Sequence, residues 1–429
     1  MRSFFATHNL FAVSALLRET GINTEQTLSH GFKIDRSAMY RFARRRESDG
    51  DEAIGLEEAG SLYDLGALAD LSFSFKKCQP QMAALILAYG LGSVSTAAWG
   101  TGQKHTITPI AGDLDTARSN PSFTGAMRYG KWLLKERFAS NFVDSFQMRL
   151  KKDSWLELSG NIRATGKRAT TVFSESITAA YNATTLTLAN GVSGGAVVQD
   201  RLDNVHHVRV QVPTTLEWKD VVVTEASAAT PCILTIVAPG GVATSTTYKV
   251  IYNQAEAGSY TWASFPNRVV ESPLRISDFV VKLGGKWDGS VWLEGHTMNA
   301  EIKELVWDFN NNLKCEFVPG GTGSYANRAL RDGRTQKLTL DRDFRDYIVG
   351  QRLDENDTFS IYAKATGAEF ETGKNYYVWI VFPKVGVIDT PYKEDGRRLG
   401  EGSEFQILED ETYGSVWAQV ANMVATYAA

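Results

Sequence analysis

Cysteine is scarce in this chain. Cys78, Cys232 and Cys315 are the only three in 429 residues, and their wide spacing suggests neither a metal cluster nor a disulfide frame. That usage fits assembly in a reducing cytosol. Long apolar runs are missing too: nothing approaches the roughly 18 residues of a membrane-spanning helix, so no such span is expected. A basic surplus is also absent. The formal net charge of -4 is the reverse of the footprint expected of a dedicated nucleic-acid binder. It is compatible with a protein that must not stick to DNA. The opening MRSFFATHNLFAVSALL is interrupted by His8 and Asn9 and has no cleavage site, so no signal peptide is expected.

Catalytic patterns fail one by one. Gly191, Ser193 and Gly195 have the spacing of a nucleophile elbow, which needs a strand before it and a helix after it in a parallel sheet. Here a β-like AVVQD follows. The two Thr-Gly-Lys turns, Thr165–Lys167 and Thr372–Lys374, have Gly160 and Gly367 upstream, one residue too far for a phosphate loop. Arg168 and Asn375 stand where Ser or Thr would hold magnesium. His206 and His207 are adjacent and so point to opposite faces of a strand. GLGSVS and GTGQKH lack the third glycine of a dinucleotide loop, and no carboxylate dyad can be paired. No catalytic, cofactor-binding or metal residue is assigned, and no enzyme is expected.

What the chain has instead is alternation. Residues 299–317 read NAEIKELVWDFNNNLKCEF, without Gly or Pro. Leu305, Trp307, Phe309, Leu313, Cys315 and Phe317 share one parity; Glu304, Asp308, Asn310, Asn312, Lys314 and Glu316 share the other. Period two predicts one two-faced strand of about 40 Å at roughly 3.3 Å per residue. A second long strand is predicted where Phe142, Asp144, Phe146, Met148 and Leu150 alternate with Val143, Ser145, Gln147, Arg149 and Lys151. Its partner is expected at Trp155–Ile162. The expected wall core is therefore Leu305, Trp307, Phe309, Leu313, Phe317, Phe142, Phe146, Met148 and Leu150.

Other elements follow from local signals. Pro80 starts a helix that Gly90 should cap, with Met82, Leu85, Ile86 and Tyr89 facing the core. LSFSF at 71–75 and HTITPI at 105–110 read as short strands. TQKLTLDRDFRDYIVGQRL reads as a strand and then a helix capped near Asp341 or Asp343. DTFSIYAKATG and NYYVWIVFPKVGVID read as two more strands. The first 65 residues look irregular, with Arg44, Arg45 and Arg46 in a solvated loop paired to the acids that follow. Residues 170–268 are rich in Ala, Thr, Val, Gly and Ser, and their APGG and EAGS turns suggest a small β-sandwich. The expected fold is thus mainly β, with three segments: 1–168, an inserted module at 169–271, and 272–429. Both flanks contain a strand followed by a helix, which suggests duplication, although the element order reads differently in the two.

The run KKCQPQMAALILAYGLGSVS, the HTITPI strand, NPSFTGAMRYG and the stretch NFVDSFQMRLKKDSWLELSGNIRATGK resemble tail tube (major tail) proteins of tailed bacteriophages. MNAEIKELVWDFNNNLKCEF, RDGRTQKLTLDRDFRDYI and NYYVWIVFPKVGVID resemble the last strands and helix of that family. The likeness covers about residues 65–168 and 272–427, with 170–268 as an addition. It implies a β-sandwich or half-barrel with flanking helices. Such subunits form rings that stack into a tube in the virion tail, a conduit for genome ejection, assembled in the host cytoplasm. Self-association is implied, as a trimeric ring with pseudo-sixfold symmetry if the flanks are duplicated, or as a hexamer. The tape-measure, terminator and baseplate proteins would be partners. DNA would pass without specific binding, and no cofactor is implied. The polar parity then suits a lumen, with Glu304, Asp308, Asn310, Asn312 and Glu316 facing it. An acidic or neutral wall is expected there, because DNA carries about one charge per 1.7 Å and binds through Lys and Arg. The inserted module is expected to project outward. A sheath, baseplate or terminator protein, or a carbohydrate-binding β protein using the ten tryptophans, are the alternatives.

Overall fold

The computed structural model describes residues 9–14, 18–50, 58–110, 119–130, 134–255, 265–289 and 292–427. The chain is mainly β. Among the described residues, no helix is long and apolar enough to cross a membrane. Two compact units are present, a larger one of residues 13–125, 138–167 and 268–429 and a smaller one built around 168–267 with 126–137 and the N-terminal strand residues up to Ala12.

The larger unit is built from β1 (Tyr40–Ser48), β2 (Leu62–Phe75), α1 (Pro80–Leu91), β3 (Gly92–Trp99), β4 (Gly102–Pro109), β5 (Leu134–Lys151), β6 (Glu157–Ala164) and β7 (Phe279–Leu283). It continues with β8 (Ile302–Asn310), β9 (Thr335–Asp343), α2 (Ile348–Asp354), β10 (Thr358–Glu371), β11 (Lys374–Asp389), β12 (Arg398–Ile407) and β13 (Trp417–Asn422). One antiparallel sheet runs β1–β2–β6–β5–β8–β9–β12. Beyond β12 it is extended by Val385–Asp389, the end of β11, and by the short strand Tyr392–Asp395. The second sheet runs β3–β4–β13–β11–β10–β7. The long β11 is shared between the two.

Alternation makes the first sheet two-faced. Phe146 lies opposite Phe309 and Met148 opposite Trp307, all of them buried. The Phe146 and Phe309 rings stack at 4.6 Å, and Trp307 meets Phe382 of β11 edge-on at 5.2 Å, so the dry face packs onto the second sheet. All twelve residues of α1 are buried. The helix lies between Phe146, against which Gly90 is packed, and strands β3, β4 and β13. That position explains a helix apolar on every side.

The C-terminal cap is Gly92, with φ +99, and not Gly90. Gly90 sits inside the last turn, where a Cβ would stand 3.0 Å from the Phe146 ring. The other end is closed from a distance. Glu271 accepts the backbone N–H groups of Gln81 and Met423, each at 3.0 Å. Burial outweighs these two donors and pushes the Glu271 carboxyl up to about 7. The folded chain therefore holds a proton that the unfolded chain releases from its ordinary value of 4.5 upward. This contribution to stability is complete below about 4.5 and is lost as pH rises through 7. The denaturation midpoint should fall between pH 5 and 8, and Glu271→Gln should flatten that fall. A slope unchanged in the variant would show that another group controls it.

The strand order is the unexpected feature. In the first flank, β1, β2, then α1, the hairpin β3–β4, and finally β5 and β6 place four strands side by side as β1–β2–β6–β5. In the second flank, β8, β9, then α2, the hairpin β10–β11, and finally residues 385–395 and β12 place four strands as β8–β9–β12–(385–395). For these elements the order is the same in both, contrary to the reading from sequence, although the strand Phe123–Tyr129 intervenes in the first flank and the pair Leu313–Glu316 and Arg328–Arg331 in the second. The flanks are not separate bodies, however: each feeds both sheets, and β5 pairs directly with β8.

Several expectations need correction. The stretch 302–316 is not one strand. It breaks after Asn310, Asn312 adopts φ +49, and a second short strand, Leu313–Glu316, pairs with Arg328–Arg331. LSFSF is only the end of the fourteen-residue β2. Arg44, Arg45 and Arg46 lie on β1 and not in a loop, and Arg44 pairs with Asp64 at 2.6 Å. The acids Asp51, Glu52 and Glu57 and the EAGS turn at 256–259 lie outside the described residues. Helix α2 begins after Tyr347; Asp346 accepts its first N–H from Ile348, while Asp341 and Asp343 stay on β9.

The smaller unit has a four-stranded sheet of Val172–Ala180, Ser245–Asn253, Val205–Gln211 and Trp218–Asp220. A three-stranded sheet contains Thr185–Thr187, Ile233–Ile236 and Val223–Ala226. Alternation on Ser245–Asn253 buries Tyr248, Val250 and Tyr252 in a shared core with Leu186, Val210 and Leu234.

Candidate functional site: the polar face of the larger sheet

The wet face of the β1-to-β12 sheet is an organised polar surface of the larger unit. Strand register sets its rows. Ser72, Asn161, Ser145, Asn310 and Thr335 follow one another across five strands, and Ser74, Ser159, Gln147, Asp308 and Lys337 form the next row. All of these except Ser72 and Ser74 line a shallow depression of about 440 Å³ around Gly160 and Asp308. Gly160 is required at its floor, because a Cβ there would lie 2.1 Å from the Ser145 carbonyl oxygen. None of the lining residues is a histidine or a cysteine, and no nucleophile–base pair is formed among them.

Much of the charge on this face is paired. Glu304 binds Arg149 of β5. Asp308 accepts from Gln147 Nε2 at 2.7 Å and stands in register with Lys337, which in turn meets Glu404 at 2.6 Å. Asp341 pairs with Lys393 and Asp343 with Lys303, each at 2.6 Å. Arg163 pairs with Asp144 at 2.9 Å and donates to the Leu313 carbonyl. Burial raises the Asp70 carboxyl, helped by Asp144, while Arg163 opposes the shift. The face therefore carries paired charges of both signs and is not a purely acidic wall. A change of Glu304 to Lys would set three cations together with Arg149 and Lys151, so it cannot be treated as a silent surface substitution.

The expected lumen residues are placed as follows. Glu304, Asp308 and Asn310 stand on β8 with their side chains on the wet side. Asn312 is at the kink, where its Nδ2 donates to the Gly333 carbonyl and its backbone N–H to Asn310 Oδ1. Glu316 ends the following short strand, 3.9 Å from Arg328. Of the expected wall core, Leu305, Trp307, Phe309, Leu313, Phe142, Phe146, Met148 and Leu150 are buried. Phe317 is the exception: it follows the last strand residue, half-buried, with the Arg45 guanidinium 5.8 Å above its ring.

Sequence reasoning missed Asn311. It has the dry parity and is fully buried, and its Nδ2 donates to the carbonyls of Gly90 at 2.9 Å and Val143 at 3.0 Å. It thereby ties the last turn of α1 to β5 and sets the kink. The signal was present in the parity itself, since an amide at a dry position must find buried partners.

The rejected motifs remain without a site. Ser193 donates its backbone N–H to Asn253 O in an antiparallel setting. The following AVVQD contributes to a short helix, Val198–Leu202, and not to a strand. His207 meets Asp220 at 2.8 Å. Cys78, Cys232 and Cys315 are free thiols. No family model matches this chain, and no curated protein matches it in sequence.

Proposed function

We propose that this chain is the ring-forming subunit of a bacteriophage tail tube, a structural protein of the virion and not an enzyme. The observation that carries the reading is the repeated strand order. The seam inside the chain, β5 beside β8, is a pattern for the seam between chains. In that pattern the last strand of one repeat pairs antiparallel with the first strand of the next. Among the described residues, the two ends of the sheet lack such a neighbour: β1 pairs only with β2, and Tyr392–Asp395 only with β12.

These ends are complementary. Arg41, Arg44, Arg45 and Arg46 are exposed along β1, and Asp389 and Glu394 are exposed at the other end, where Lys393 is held by Asp341. Apolar side chains are exposed at both, Leu62 and Tyr63 beside β1 and Ile388 and Tyr392 opposite. Joining β1 of one copy to residues 387–395 of the next is a head-to-tail contact that closes into a ring and leaves no free sheet edge. Two repeats per chain favour three chains per pseudo-sixfold ring, with six chains as the alternative. The dry face then meets the outer sheet, and the compensated polar face lines the lumen. Few free cations are offered there for counterion release, so DNA passes without being held. The tape-measure protein fills the lumen before ejection, and terminator and baseplate proteins meet the tube ends.

Sedimentation velocity on the full chain tests the seam. Reversing Arg44, Arg45 and Arg46 to Glu should weaken self-association at least tenfold, about 1.4 kcal/mol or more, since like charges would face each other. The monomer should stay folded, because these side chains are exposed. Unchanged association in the triple variant would remove β1 from the interface.

A further inference from the structure

Arg342 is the hub of a charge cluster that holds more acid than base. Its guanidinium is fully buried and donates to Glu401 Oε2, Glu301 Oε2 and Asp346 Oδ1. Glu401 and Glu301 are buried as well. Three carboxylates against one guanidinium leave two negative charges, and the exposed Arg345, 3.6 Å from Glu301 Oε1, offsets one of them. A buried negative excess is costly until a cation meets it.

Two of these carboxylates give one oxygen to Arg342 and turn the other to His296. Glu301 Oε1 lies 3.7 Å and Asp346 Oδ2 3.6 Å from His296 Nε2. Among the described residues, Nε2 has no hydrogen-bond partner, and it is shut off from solvent. The three atoms all lie within 4.8 Å of one another. They come from three segments, each fixed by its backbone. The strand His296–Thr297 pairs with β7, with His296 opposite Leu283. Glu301 sits in the turn before β8, where its N–H donates to the Met298 carbonyl at 3.0 Å and its own carbonyl accepts from Asp343 at 2.9 Å. Asp346 precedes α2 and accepts the N–H of Ile348 at 3.2 Å.

These separations are too long for hydrogen bonds and close to those between ligands of a single ion. With zinc bonds of about 2.0–2.2 Å to nitrogen and oxygen, tetrahedral ligands stand about 3.3–3.6 Å apart. An imidazole nitrogen beside two carboxylate oxygens suits zinc better than calcium or magnesium, which favour oxygen alone. We propose that His296, Glu301 and Asp346 bind a divalent transition-metal ion, with zinc the best match to the donor set. Arg342 orients both carboxylates through the oxygens that do not ligate. The ion clamps the β7 hairpin to the turns before β8 and α2. The site lies within one chain, so its test does not depend on ring formation.

Thermal unfolding and calorimetry of the full chain, first stripped with a chelator and then given zinc chloride, test the site. Zinc should raise the wild-type midpoint, and chelator should reverse the rise. His296→Gln should weaken zinc binding at least tenfold while leaving the metal-free midpoint unchanged, because Nε2 has no hydrogen bond to lose. Asp346→Asn keeps an oxygen for Arg342 and Ile348 but replaces the ligating oxygen with an amide nitrogen, and should also weaken binding at least tenfold. His207→Gln, at the exposed His207–Asp220 pair, should change nothing. Zinc silence in the wild type overturns the proposal. So does binding that survives both ligand variants, since the ion then sits elsewhere. Zinc silence together with a loss of stability in His296→Gln confined to acid pH overturns it in favour of an imidazolium held between the two carboxylates.

Discussion

Glu401→Ala should lower the unfolding free energy by about 3–5 kcal/mol, the cost of breaking a buried ion pair by removing one partner. Its partner, Arg342, is fully buried. Arg342 Nε donates to Glu401 Oε2 at 2.6 Å, and Nη1 donates to Glu301 at 3.0 Å and to Asp346 at 3.1 Å. Arg342 and Glu401 are also register partners of β9 and β12, so the pair fixes how the second repeat's strands align. The exposed pairs of the polar face provide the contrast. Glu304→Gln breaks the contact with Arg149, which is more than a third exposed, and should cost no more than about 1 kcal/mol. Denaturant unfolding of the two variants side by side measures the difference. Equal losses would mean that Arg342 is hydrated or re-paired once Glu401 is gone.

Trp307→Ala should cost a similar amount, about 3–5 kcal/mol, through the cavity it leaves. The ring touches Phe146 at 5.0 Å and Phe382 at 5.2 Å, and its Nε1 donates to Gln336 Oε1 at 3.2 Å. It therefore joins β5 and β8 across the repeat seam and the two sheets across the core. Because the seam between chains would copy the seam inside the chain, loss of Trp307 should damage folding before it damages assembly. The denaturation midpoint should drop steeply while any folded remainder still associates. A variant as stable as wild type would show that the sheets are held together by other contacts.

How far the sequence was legible depended on the element. The LVWDF beat gave both faces of β8 directly, since each side chain answers only to its own strand's pleat. The Arg44–Arg46 run did not read as a strand because β1 lies at the end of its sheet, where exposed side chains blur the period. The long expected strand failed at Asn311 and Asn312, where an amide bond to Gly90 and a positive φ override the alternation. The repeat was only half visible. Its strand-then-helix steps stand out, but the third strand is continuous in the first flank and is divided at Thr390 and Pro391 in the second. No local pattern shows that these pieces line the same side of β12. The pairing on the polar face was hidden for the same reason, because Arg149 and Gln147 reach Glu304 and Asp308 from another strand.

The central claim is a ring whose lumen is the polar face, and a gold label can locate that face. Asn161 is exposed in the middle of it. The native thiols should stay silent: Cys78 and Cys232 are buried, and burial pushes the Cys315 thiol up to about 11. Asn161→Cys, coupled to a small gold cluster before concentration, should give annular particles by electron microscopy with gold density at the centre and the same ring symmetry as the unlabelled chain. Rings with gold on the outer rim would contradict the lumen assignment, and particles that remain single chains at every concentration and salt would contradict the tube itself.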